Sequence, residues 1–192
     1  MRKLIVQQLM TVDGFLSGPG DELDFMESVP DFSELDRHNL AVLEEVDEVF
    51  LGRRTYELFA AYWPTADHEV VAHAVNTLPK TVFSTTLKSV AWGTWDTVRL
   101  HGGDAAEEVA RMKRQPGGSI MLWGSITLAR SLIRNGLVDE FQFHVLPIAI
   151  GRGVGLFGRE SGHVALSLTG VKRLAGGIAV LTYVPRAPDG MP

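Results

Sequence analysis

The chain has 192 residues, 45% hydrophobic and 21% charged, with no cysteine and a formal net charge of −5. That length fills one domain and carries enough apolar surface to bury a core without disulfide or metal staples, which excludes global disorder. The balance of 18 Lys and Arg against 23 Asp and Glu, with no basic run, excludes a general nucleic-acid binder, and the lack of cysteine excludes disulfides, thiolate nucleophiles and cysteine-ligated zinc or iron–sulfur sites.

Leu4 to about Met10 reads as a strand that is apolar on both faces and therefore central in a sheet. Asp13-Gly14 and Gly18-Pro19-Gly20 mark a long loop. Ser33 to Glu45 reads as a helix, with Ser33 the candidate N-cap and Asp36 at the acidic capping-box position. Glu48 to Leu51 is a short strand ended by Gly52, and helices are predicted over Arg53 to Ala60 and Asp67 to Asn76. Lys80 to Ser84 and Thr97 to Leu100 read as strands; Asp104 caps a helix to about Arg114, stopped by Pro116-Gly117-Gly118. Ser119 to Trp123 is a strand, Ser125 to Asn135 a helix with Gly136 as its C-cap, and Asp139 to Leu146 a strand. Val164 to Ala175 and Gly177 to Val184 form a hairpin closed near Gly176-Gly177. Three prolines and a glycine crowd Pro185 to Pro192, so residues 1–185 are expected to be one domain and 186–192 a flexible tail. Alternating β and α elements followed by an antiparallel pair predict an α/β, three-layer αβα fold with a mostly parallel sheet and an antiparallel C-terminal edge.

In such sheets ligands bind at the carboxyl ends of the strands. Gly52-Arg53-Arg54-Thr55 is a strand running through glycine into a helix start, where free N–H groups, two cations and a hydroxyl suit a phosphate; a tight turn with two solvated arginines fits equally. Gly124-Ser125-Ile126 is a second such junction, either a pyrophosphate cradle or simply a helix N-capped by Ser125. Two junctions in one sheet favour a dinucleotide. Ser84, Thr85 and Thr86 end a strand with three hydroxyls, which suits a ribose phosphate or a turn. Gly151-Arg152-Gly153-Val154-Gly155 opens no helix and fails as a dinucleotide fingerprint.

Asp13 follows the central strand beside Gly14, in a context that is also common turn chemistry. Asp36 shares a helix face with Leu40 and Leu43; an inward carboxyl there has a raised pKa and can supply a proton, whereas an outward one completes the cap or is solvated. The six histidines form no helical metal-ligand pair, so no metal is expected, and Ser125 lacks the second glycine of a nucleophile elbow.

Taken in order, Arg2-Lys3-Leu4-Ile5-Val6 with Thr11-Val12-Asp13-Gly14, Leu51-Gly52-Arg53-Arg54-Thr55-Tyr56-Glu57, Leu78-Pro79-Lys80-Thr81-Val82-Phe83-Ser84, Gly124-Ser125, Gly136-Leu137-Val138-Asp139-Glu140, and Pro147 with Gly151-Arg152-Gly153 and Leu156-Phe157 resemble the dihydrofolate reductase-like superfamily. The nearest branch is the C-terminal domain of the riboflavin-biosynthesis deaminase-reductases and its stand-alone relatives, matched over about residues 2–184. The resemblance implies an NADPH-binding reductase. Gly52, Arg53, Arg54, Thr55, Ser84 and Thr85 would hold the adenosine side with its 2′-phosphate, Gly124, Ser125 and Ile126 the pyrophosphate, and Leu9 and Met10 would set backbone against the nicotinamide. Asp13 matches an Asp-Gly that lies near substrate in the riboflavin branch, and Asp36 falls where dihydrofolate reductases place a proton-relay carboxylate. The paired glycines of those reductases are Gly124-Ser125 here, where serine is expected to keep the N-cap while adding bulk. No zinc deaminase domain accompanies the match, which speaks against a bifunctional riboflavin enzyme.

The expected function is therefore NADPH-dependent hydride transfer to a small pterin- or pyrimidine-like heterocycle. Asp13 or Asp36 would be catalytic, and Gln8, Asp13 and Trp63 would lie on the substrate side; a tryptophan there can stack on a flat ring, or simply serve the core. The rivals are a stand-alone pyrimidine reductase of riboflavin synthesis, a non-catalytic nucleotide- or folate-binding protein, and a structural or interaction protein. The cysteine-free composition fits a reducing cytoplasm. Met1 to Met10 does not read as a signal peptide, and no apolar run is long enough to span a membrane. A homodimer through the end hairpin and the Pro147–Phe157 segment is expected, because relatives often dimerise and two-fold symmetry is the commonest closed form.

Overall fold

In a computed structural model that describes residues 1–158 and 162–186, eight strands form one sheet in the order β5-β4-β3-β6-β1-β7-β10-β9. The strands are β1 (Leu4–Thr11), β3 (Val46–Gly52), β4 (Lys80–Phe83), β5 (Val98–His101), β6 (Ser119–Trp123), β7 (Glu140–Leu146), β9 (Leu166–Arg173) and β10 (Ala179–Pro185). From β5 to β7 all neighbours are parallel; β10 runs antiparallel to both β7 and β9. A mostly parallel sheet with an antiparallel C-terminal hairpin is thus the observed architecture.

The central strands read as continuous apolar runs because both faces are covered. Leu4 and Val6 of β1 pack with Phe50, Ile120 and Leu122 against α4 (Ala105–Lys113) and α5 (Ile126–Arg134), burying Val109, Met112, Ala129 and Leu132. Ile5 faces the other way, packing with Val49, Leu51, Val82 and Met121 under α1 (Ser33–Leu43), α2 (Arg53–Tyr62) and α3 (Ala72–Thr77). A third cluster beneath the start of α1 joins Leu35 to Leu146, Leu174, Ile178 and Val180. Each fully buried aliphatic or aromatic side chain in these clusters contributes roughly 1.5–3 kcal/mol.

Several local expectations change. The helix from Asp67 shrinks to α3: Glu69 N–H bonds Ala66 O and Ala72 N–H bonds Glu69 O, short turns that follow a 3-10 turn over Trp63–Thr65 with Pro64 in its first turn. Ser33 is not the cap of α1. Asp31 Oδ1 accepts the Ser33 N–H at 2.8 Å, and this local turn engages the amide that begins the helix, so no capping box forms with Asp36. Pro185 and Arg186 are not loose: Pro185 ends β10 and Arg186 N–H donates to Ala165 O, while the rest of the expected tail lies outside the described residues. Two very short strands, β2 (Phe15–Ser17) and β8 (Val154–Gly155), form a separate antiparallel pair that was absent from the sequence reading. Neither is long enough to display an alternation.

At the amino-terminal ends of the strands, two buried charges are stabilised in different ways. Glu48 accepts from Thr81 Oγ1 at 2.6 Å and from Arg99 at 2.7 Å. Lys80, 1% exposed, has no carboxylate partner among the described residues; its ammonium donates to Leu78 O at 2.6 Å and lies 4.5 Å from the Trp92 ring centroid. Burial pushes its pKa down to about 7.

Candidate active site in the cleft between two glycine junctions

The site begins where two strands part. β1 pairs with β6 only as far as Gln7↔Trp123, yet pairs with β7 to Thr11↔Leu146. The β6-facing edge of β1 is therefore open from Gln8 onward, at the carboxyl ends of the strands, where an open α/β sheet takes its ligand. Gln8 Nε2 donates to Gly124 O at 2.7 Å across this gap. A cleft of about 750 Å³ extends from here past the ends of β3 and β4, a size suited to a small-molecule ligand.

The two glycine junctions face each other and are stitched together. Ser125 Oγ accepts the Gly52 N–H at 2.7 Å, and Thr55 Oγ1 accepts from Ser125 N at 2.8 Å and Ser125 Oγ at 3.0 Å. A Cβ on Gly124 would lie 2.8 Å from Thr55 Oγ1, so that position needs glycine for close approach, and one on Gly52 would be a tight 3.3 Å from Ser125 Cβ. Gly124 and Ser125 both sit in the left-handed region, at φ 51° and 53°. This overturns the expectation that Ser125 N-caps α5: its left-handed backbone sends the hydroxyl to Gly52 and Thr55, and it makes no capping bond. The first-turn N–H groups of α5, from Ile126 to Leu128, are thereby left beside the cleft with no side-chain cap.

The same cleft gathers Gln8, Gly52, Arg53, Arg54, Thr55, Ser84, Thr85, Gly124, Ser125 and Ile126, ten of the sequence candidates. Arg53 is half-exposed, and among the described residues its nearest carboxylate is that of Glu57 at 3.8 Å. Arg54 pairs with Asp21, which also lines the cleft. Ser84 Oγ accepts from Leu87 N at 3.1 Å and Thr86 N at 3.2 Å, so the turn already occupies its acceptor side. Arg130, Ser17 and Asp21 also line the cleft and escaped the sequence reading. Arg130 donates to Leu156 O at 2.9 Å and Gly155 O at 2.7 Å. Nothing in the spacing announced it, because β8, to which it binds, was itself invisible.

Other candidates lie elsewhere. Met10 packs with the cluster beneath α4 and α5, whereas Leu9 joins the cluster beneath the start of α1. Asp13 is exposed, and its carboxylate accepts from Thr11 Oγ1 at 2.5 Å, Gly151 N at 2.7 Å and Ile150 N at 3.1 Å. The Thr11 hydroxyl and these amides hold its pKa below the usual carboxylate range, so it is an ionised anchor for the loop after β7. Asp36, half-buried on α1, moves the other way. Burial raises its pKa first, and the charges of Glu69 and Asp31 add to the rise.

Trp63 follows α2 and sits 5.1 Å from the ring of Tyr62 and 6.1 Å from that of Phe59, which in turn lies 6.0 Å from Trp123. Tyr62 Oη donates to Glu69 Oε1 at 2.5 Å, placing this aromatic wall next to the carboxylates that act on Asp36. On the same face of the sheet Trp123 Nε1 donates to Gln7 Oε1 at 2.8 Å, and Gln7 Nε2 to Gln142 Oε1 at 3.0 Å. Aromatic rings, carboxylates and a floor of amides thus lie on the α1–α2 side, and Phe59 joins that wall to the cleft that carries the arginines.

Among curated proteins the chain is similar to the uncharacterized protein YyaP of Bacillus subtilis, 28% identical over 187 residues and covering 95% of this chain and 94% of that one. Among solved structures it is similar to a putative riboflavin biosynthesis protein from Shewanella sp. PV-4, with a TM-score of 0.79 at 23% identity, covering 96% of this chain and 99% of that one. A dihydrofolate reductase from Enterococcus faecalis, complexed with NADP(H) and RAB-propyl, superposes with a TM-score of 0.61 at 12% identity over 96% of this chain and 97% of that one, a likeness of fold. Residues 2–180 match the family model of the RibD C-terminal domain, and the chain belongs to that family.

Proposed function

We propose that the protein is an NADPH-dependent reductase that delivers hydride to a C=N or similar acceptor in a small flat heterocycle, pterin- or pyrimidine-like. The observation that carries this reading is the pair of facing glycine junctions, with an uncapped helix N-terminus and two arginines in one cleft. The residues fit a dinucleotide: α5 offers N–H groups to a pyrophosphate, Gly124 lets the two junctions close on each other, and among the described residues Arg53 has no carboxylate closer than 3.8 Å to compete with a 2′-phosphate. NADPH would supply the hydride. In this reading Leu9 and Met10, at the open edge of β1, present backbone to the nicotinamide, and Gln8 bridges that edge to Gly124.

On the substrate side, Asp36 holds the proton and Trp63 belongs to the wall that flanks the ring. Its raised pKa makes Asp36 a better proton donor than Asp13, whose three hydrogen bonds stabilise the anion. Asp13 then acts by positioning the loop at Ile150 and Gly151. Family membership favours a second reading, a stand-alone pyrimidine reductase of riboflavin synthesis. A phosphorylated substrate would, however, have to sit beside the carboxylates of Asp36 and Glu69. Residues 1–185 would act as one domain in the cytoplasm, as a homodimer through the outer edge of β9, where Leu168 and Val171 are exposed. Among the described residues no helix is long and apolar enough to cross a membrane.

Titration of the purified protein with NADPH and separately NADH, followed by quenching of its four tryptophans, tests the reading. NADPH should bind more tightly than NADH, and Arg53→Ala should weaken NADPH by roughly tenfold, the scale of one charge-assisted hydrogen bond, while barely touching NADH. Binding of neither dinucleotide would sink the proposal. Tight NADPH binding with no turnover of dihydropterins or aminopyrimidines would favour a non-catalytic nucleotide-binding protein.

A further inference from the structure

Four side-chain polar atoms among the described residues are buried without a hydrogen-bond partner: Ser17 Oγ and the Nε2 atoms of His38, His101 and His144. Of these residues only Ser17 lines the cleft. Ser17 ends β2, is 4% exposed and pairs through its backbone with Val154 of β8. Its position is tightly determined, since a Cβ on the neighbouring Gly153 would fall 2.2 Å from Ser17 O. A hydroxyl buried this deeply normally finds a partner, because leaving it unmade loses the bonds it had to water.

Arg130 explains what kind of partner is missing. It extends from α5 to β8, where Nε and Nη2 are spent on Leu156 O and Gly155 O. It lines the same cleft as Ser17, beyond the uncapped first turn of α5, and Nη1 carries no bond among the described residues. A hydroxyl donor, a guanidinium and free helix amides lining one cleft are complementary to oxygens that accept and carry negative charge. We propose that the Ser17 hydroxyl is a ligand-binding group, kept without a protein partner so that it donates to an oxygen in the diphosphate–ribose portion of a dinucleotide. This rests on the dinucleotide reading of the cleft and adds to it a residue from the short β2–β8 pair.

Ser17→Ala separates a ligand-binding hydroxyl from a structural one because the two predict opposite signs. Removing a buried donor that has no protein partner leaves the melting temperature of the free protein unchanged or raises it, whereas removing a structural hydrogen bond lowers it. The variant should bind both NADPH and ADP-ribose about two- to twelvefold more weakly, the range of one net hydrogen bond, by calorimetric titration. Unchanged affinity, or a lower melting temperature with unchanged affinity, overturns the assignment of Ser17. A loss for NADPH alone, with ADP-ribose unaffected, overturns it too, because the hydroxyl would then face the nicotinamide. If the wild-type protein binds neither compound, the dinucleotide reading itself falls and takes this inference with it.

Discussion

At the scale of single residues, the two candidate carboxylates are separated by what surrounds them. Asp36 is half-buried near Glu69 and Asp31, so its folded-state pKa lies above its unfolded value. The folded chain then binds more protons in that window than the unfolded chain, and stability falls as pH rises through it. Asp36→Asn should therefore raise the melting temperature at pH 7 while lowering turnover about 10²- to 10⁴-fold, the usual worth of a general acid. Wild-type turnover should decline as pH rises past the Asp36 pKa, and the variant's residual rate should lose that dependence. Loss of both stability and activity would mark Asp36 as structural. The second residue-scale expectation concerns Arg54, which pairs with Asp21 in the cleft. Asp21→Asn removes a competing anion and keeps a residue type that tolerates the φ of 67°. Dinucleotide affinity should rise about two- to fivefold, within the range of an exposed pair, and the gain should shrink with added salt.

At the scale of elements, the shape of the cleft depends on how two strand–helix junctions meet. Gly124 combines φ 51° with a Cβ position 2.8 Å from Thr55 Oγ1. Gly124→Ala should cost about 1–3 kcal/mol in denaturant unfolding, from left-handed strain and the displaced Thr55. The same change should weaken dinucleotide binding further, because the first turn of α5 would shift with it. The loop after β7 depends in turn on Asp13, whose carboxylate accepts from Ile150 and Gly151 amides. In Asp13→Ala, hydrogen exchange at those two amides should accelerate while the amides of the β1–β7 ladder stay protected. Unchanged exchange would show that other contacts hold the loop.

At the scale of the whole molecule, buried titratable groups set the response to pH. His144, 1% exposed and beside the His38 ring, is pushed down to about 3 by burial and, secondarily, by His38. The unfolded chain takes up this proton near the ordinary value of 6.5, so stability is lost as pH falls from there toward 3. The limiting slope for one proton is about 1.4 kcal/mol per pH unit, and His144→Gln should flatten it, as measured by urea unfolding across that range. Lys80, lowered to about 7, acts in a different window: the unfolded chain holds its proton up to about 10.5, so stability should rise with pH between the two values. Assembly belongs to this scale as well. Val171 is 66% exposed on the outer strand of the sheet. Val171→Glu should shift a dimer toward monomer in sedimentation velocity; a wild-type monomer would remove that expectation.

Periodicity and turn chemistry, which are local, determined much of this protein from its sequence alone. The apolar run at Leu4–Val6 announced a central strand, the alternation of β and α elements a mostly parallel sheet, and the glycines at 52 and 124 strand–helix junctions. The family motifs are likewise read from order along the chain. Tertiary structure decided everything that depends on two segments meeting. It sent Ser125 to Gly52 and Thr55 instead of capping α5, because the approach of the two junctions holds its backbone left-handed. It spent Asp13 on a loop 137 residues away and placed Asp36 where other carboxylates raise its pKa. It also paired β2 with β8, elements of three and two residues with no periodicity to read, and through them brought Ser17 and Arg130 to the cleft. A hydrogen bond or a charge interaction depends on distance in space, and the chain order does not contain that distance.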